Sequence, residues 1–173
     1  MSFQQQKQLA DQKDINKKLF EARSTTLENK VKVVLQTLKN DAVAFLKSLD
    51  FSVSAMPEMH TISANYKGQM SVNLTFSKPE ETFFGADIVV DVDYLKQTFI
   101  LGVSLTRQSF NHIWDENVEQ AITQYAEQNR LLEELNASDI DGTYQIHLKQ
   151  ENAQFIYFST IHDALKHILQ VED

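Results

Sequence analysis

Asp87, Asp91 and Asp93 are the densest set of chemistry-bearing residues in this chain. On an extended strand, side chains at i, i+4 and i+6 project to one side. Three carboxylates in such a stripe offer oxygen ligands for Mg²⁺ or Ca²⁺, which would suit a metal-dependent hydrolase. A metal also needs ligands converging from a second element, and carboxylates along a single strand are spread out. The preferred reading is therefore solvation or contact with a partner. Glu116 and Glu119, followed by Glu127, Glu133 and Glu134, extend the acidic surface. Such a surface steers a basic partner towards the chain.

Other catalytic constellations are missing from the sequence. Asp139, Asp141 and Gly142 resemble a fragment of a calcium loop, but Ala137 and Gln150 stand where further ligands belong. The five histidines, His60, His112, His147, His162 and His167, form no HExxH or HxH pattern. His162 and His167 are five apart, so they do not share a helix face. There is no GxSxG elbow, and no P-loop or dinucleotide glycine fingerprint. The four glycines are widely scattered and cysteine is absent, which excludes disulfides and thiolate metal sites. These absences favour binding over catalysis, with no cofactor.

The elements that position these residues follow from hydrophobic spacing. Thr25 and Glu28 have capping-box spacing, which predicts a helix starting there. Val31, Leu35, Leu38, Ala42, Phe45 and Leu49 then form a two-position heptad seam, widened by Leu27, Val34 and Leu46. Such a seam either zips against a second copy through Val31, Leu35, Leu38 and Phe45 or covers a sheet. The width of the stripe favours the sheet. Four stretches alternate with period two, beginning near His60, Met70, Asp87 and Thr98. Their apolar sets are His60, Ile62, Ala64 and Tyr66; Met70, Val72, Leu74 and Phe76; Ile88, Val90, Val92 and Tyr94; and Phe99, Leu101, Val103 and Leu105. Alternation of this length predicts strands buried on one face, and the short links predict an antiparallel meander. Gly68 suits a tight turn, and Pro79 breaks the chain.

A second helix is expected from an Asn111 cap, burying Trp114, Val118, Ala121, Ile122, Tyr125, Leu132 and Leu135. A hairpin follows, its strands marked by Tyr144, Ile146 and Leu148 and then by Phe155 and Tyr157, joined around Glu151 and Asn152. Thr160 and Asp163 open a last helix whose stripe is Ile161, Leu165, Ile168 and Leu169. The sum is an α+β fold. An antiparallel sheet of about six strands, a four-strand meander plus a hairpin, carries helices on one face and a long N-terminal helix. Residues 1–24, rich in Gln and Lys, read as a mobile or marginally helical arm; residues 25–173 read as one domain.

This order of helix, strands, helix, two strands and helix resembles class I chaperones of type III secretion over residues 25–171. The resemblance implies an acidic cytoplasmic homodimer that binds partner segments in extended form.

Charge is unevenly divided. The 173 residues carry a net charge of −8, with +4 over residues 1–49 and −12 over residues 50–173. A body at −12 repels nucleic acid, whose affinity rests largely on phosphate neutralisation. The strand faces turned away from the core read as Thr, Ser, Asn and Asp, without the aromatics of RNA-binding sheets. No apolar run approaches membrane-spanning length, and no signal peptide is evident at the start. The expected protein is a cytoplasmic, non-enzymatic, acidic protein-binding module such as an adaptor, inhibitor or immunity-type protein. Its partner is basic or partly apolar, and a homodimer is the other expected assembly. The alternatives are the secretion-chaperone-like homodimer and the metal-dependent hydrolase of the Asp87, Asp91 and Asp93 stripe.

Overall fold

Residues 3–48 contain neither glycine nor proline, so nothing in the backbone interrupts a helix. In the computed structural model they form one helix, α1 (Phe3–Ser48). The model describes residues 2–56, 60–78, 85–105, 108–137, 144–150 and 154–171. The expected start at Thr25 is corrected: Thr25 lies mid-helix and its Oγ1 donates to the Glu21 carbonyl at 3.3 Å. The operative capping box is Ser2 and Gln5. Gln5 N donates to Ser2 Oγ at 3.2 Å, and Ser2 N donates to Gln5 Oε1 at 2.9 Å.

Among the described residues seven strands follow in one antiparallel sheet whose spatial order is the chain order. They are β1 (Ser52–Met56), β2 (Thr61–Tyr66), β3 (Met70–Phe76), β4 (Gly85–Val92), β5 (Gln97–Leu105), β6 (Tyr144–Lys149) and β7 (Phe155–Phe158). The α+β architecture and the antiparallel meander are as expected, with one strand more than about six. The extra strand is β1, whose five residues SVSAM offer too little alternation to read. At the β2–β3 turn Lys67 and Gly68 both take positive φ, 51° and 70°. Gly68 N donates to Asn65 Oδ1 at 2.7 Å, so the Asn side chain closes the turn.

Two further helices are α2 (Val118–Ala137) and α3 (Ile161–Leu169). The expected Asn111 cap is replaced by Asn117, whose Oδ1 accepts from Gln120 N at 3.1 Å. Trp114 consequently lies outside the helix, 70% exposed instead of buried. α3 is capped by Thr160 as expected, with Oγ1 accepting from Asp163 N.

The chain divides into two compact units. One comprises Met1–Asn29 and Arg107–Thr143; the other comprises Lys30–Thr106 and Tyr144–Asp173. In the first unit the early part of α1 pairs with α2 through polar contacts. Asn16 Nδ2 donates to Asn129 Oδ1 at 2.7 Å and to Gln128 Oε1 at 2.8 Å. Asn129 Nδ2 donates to the Gln12 carbonyl at 3.0 Å. Arg23 Nη1 donates to the Leu135 carbonyl at 3.0 Å. Asn16, Arg23 and Asn129 are all buried, and buried amides hydrogen-bonded as Asn16 and Asn129 are hold two helices in one register.

The second unit holds the main core. Val31, Leu35, Leu38, Ala42, Phe45 and Leu46 of α1 pack with the inward residues of β2–β6 and with Ile161, Leu165 and Ile168 of α3. Both helical segments therefore cover one face of the sheet. Tyr94, in the 3₁₀ turn Asp93–Leu95, donates its hydroxyl to the Leu169 carbonyl at 3.1 Å. Burial raises the Tyr94 pKa, so the phenol stays protonated as that donor.

Candidate functional site

The face of the sheet opposite the helices is polar in one half and apolar in the other. Register makes this explicit. Ser54, Ser63, Asn73, Asp91 and Thr98 stand side by side across β1–β5. Ser63 Oγ donates to Asn73 Oδ1 at 2.7 Å, and Thr98 Oγ1 to Asp91 Oδ1 at 2.6 Å. Asp87, Gly102, His147 and Tyr157 form another row across β4–β7. Val89 faces Ile100, and Lys149 faces Phe155.

Around β5–β7 this second half becomes an exposed apolar patch. Phe155 is 50% exposed, Tyr157 63% and Ile100 39%. The His147 ring lies between the two aromatics, its centroid 5.0 Å from that of Phe155 and 5.9 Å from that of Tyr157. Gly102 makes room for it. A Cβ at Gly102 would lie 2.3 Å from His147 Nε2, well inside contact distance. His147 Nδ1 is buried and has no hydrogen-bond partner among the described residues. Burial lowers the His147 pKa, the Lys149 charge lowers it further, and Asp87 partly opposes both. The imidazole is thereby held neutral, as one member of an aromatic trio.

Phe155 and Tyr157 marked this strand in the sequence, and the structure turns both outward. Ile156 and Phe158 turn inward and pack on the core. Alternation cannot phase the run FIYF, in which every residue is apolar, and a one-residue slip exchanges the two faces. The missed signal lay in the partner strand. Ile146 and Leu148 phase β6, and its outward His147 stands opposite Tyr157, with Gly102 of β5 on its other side.

The acidic residues are exposed but not assembled. Asp87 pairs with Lys149 at 2.8 Å, and Asp91 accepts from Thr98. Asp93 has left the strand for the 3₁₀ turn, so the expected three-residue strand stripe is corrected to two residues. Among the described residues no three His, Asp or Glu side chains are grouped to hold a metal. Glu116 is exposed ahead of α2. Glu119 Oε1 accepts from Gln5 Nε2 at 2.8 Å. Asp139, Asp141 and Gly142 lie outside the described residues, as does Pro79.

Val31, Leu35, Leu38 and Phe45, the candidate zipper residues, are each at most 5% exposed in the core of the second unit. They occupy the sheet-covering position. Exposed Val33, at 66%, lies off that seam.

No protein-family model, no curated protein and no solved structure matches the chain. No helix among the described residues is long and apolar enough to cross a membrane.

Proposed function

We propose that this chain is a non-enzymatic protein-binding module that takes an extended partner segment along the free edge of β7. The observation carrying this reading is the concentration of exposed apolar side chains at one end of the face turned away from the later part of α1 and from α3. β7 is the terminal strand of the sheet, so among the described residues one side of its backbone has no strand neighbour. Edge strands of this kind accept a further strand, with main-chain hydrogen bonds giving affinity and alternate side chains giving specificity. Tyr157, Phe155 and Ile100 would receive the partner's apolar side chains. Asp87, Asp91 and Asp93, with the −12 charge of residues 50–173, would favour a basic segment by charge complementarity. The other edge, β1, turns Ser52 and Ser54 towards the polar half of the face, which makes β7 the better acceptor.

A tagged pull-down from native extract at low and high salt, run beside Phe155→Ser/Tyr157→Ser, tests this. The expected result is a near-stoichiometric partner that is lost from the double variant, weakened by salt and weakened by Asp91→Asn. A partner retained equally by the double variant places recognition elsewhere and overturns the reading.

A further inference from the structure

Lys39 of α1 is half-buried in the second unit, with no carboxylate paired to it among the described residues. Its ammonium lies 5.4 Å from the Phe76 ring centroid, and Nζ is 3.3 Å from His60 Nδ1. Neither neighbour is a counter-charge. Among the described residues no carboxylate forms an ion pair with Lys39. Burial also lowers its pKa below the ordinary lysine value. Beside it opens a cavity of about 330 Å³ between α1 and the β1–β2 end of the sheet. Lys32, Lys39 and His60 line its polar side; Leu35, Val43 and Ile62 line its apolar side. That volume is at the small end of ligand pockets, which run from about 300 to 1,000 Å³.

We propose that this cavity binds a small aliphatic carboxylate, its head on the Lys39 ammonium and its chain against Leu35, Val43 and Ile62. An ammonium has three donors, and His60 takes one. A carboxylate accepts the remainder in charge-assisted bonds and supplies the missing counter-charge, which a half-buried cation otherwise lacks at a cost. The aliphatic chain gains by leaving water for the apolar wall. Because the chain as a whole is acidic, at −8, attraction of an anion here is local to this cluster. The site is separate from the β7 edge and does not depend on the docking reading.

Isothermal titration of the full chain with octanoate, 1-octanol and inorganic phosphate tests it. Octanoate is expected to bind saturably and at least about tenfold tighter than octanol or phosphate, a difference of one decade in Kd. Lys39→Met is expected to lose at least about tenfold in octanoate affinity while keeping its circular dichroism spectrum. Ala55→Leu, which narrows the cavity from its lining and leaves every charge in place, is expected to weaken octanoate binding at least about tenfold and serves if Lys39→Met fails to fold. Equal binding of octanoate and octanol, phosphate binding as tightly as octanoate, unchanged octanoate affinity in a folded variant, or no saturation by about 10 mM overturns the proposal.

Discussion

His147 shows how much one side chain can set on this surface. Its imidazole has a folded pKa below the unfolded value of 6.5, chiefly through burial. Between the two values the unfolded chain holds a proton that the folded chain does not. Stability therefore falls as pH drops below about 6.5 and levels off beneath the folded pKa. His147→Phe keeps the ring and removes the proton site. Thermal melts between about pH 7 and pH 5 are expected to show a smaller acid-side loss of Tm in this variant; an unchanged slope would assign the loss to other groups. Gly102→Ala pushes a methyl into the imidazole, and overpacking of that kind costs about 1–3 kcal/mol. In a His147→Ala background the clash is gone, and the same substitution becomes neutral or stabilising by about 0.4–1 kcal/mol through the unfolded chain. A denaturant double-mutant cycle reads this change of sign.

Among the elements, α1 has two different working faces. Its later part presents Leu38, 1% exposed, to the core, while Val33 is 66% exposed. Leu38→Ala is expected to cost about 2–5 kcal/mol, whereas Val33→Ala should stay within about 0.5 kcal/mol. Chemical denaturation of the two variants checks this, and light scattering on the wild type checks whether Val33 ever serves an interface between copies. The earlier part of α1 was the hardest stretch to read. Its Gln and Asn residues resemble an unstructured arm until α2 supplies Asn129, Gln128 and the Leu135 carbonyl as partners. The Ser2 and Gln5 capping box was a legible helix start that composition overshadowed. At α3, Thr160→Ala removes a cap and is expected to cost about 1 kcal/mol.

Across the whole molecule, the two units have different means of holding together. Ala121 and Leu132 are the buried apolar side chains of the first unit among its described residues, alongside buried Asn16, Arg23 and Asn129. The second unit has an apolar core running from Val31 to Leu169. Local stability follows buried apolar contact. Amides of α2 are therefore expected to exchange with solvent faster than those of β3, β4 and β5 in native-state hydrogen exchange. Equal protection throughout would mean that both units open only by global unfolding.

Hydrophobic period alone established the α+β class, the meander and the inward residues of β2–β5, because alternation over six or more residues admits one phase. It also marked α3, with its Thr160 cap and apolar stripe. Three features required the folded chain. The orientation of β7 depends on its pairing with β6, since four successive apolar residues carry no phase of their own. The order of residues 3–24 depends on hydrogen-bond partners more than 100 positions away. The Lys39 cavity depends on an α1 side chain meeting His60 and Phe76, residues on other elements that no local spacing connects. In each case the deciding energy is a contact between segments distant in sequence, and only folding brings the two sides together.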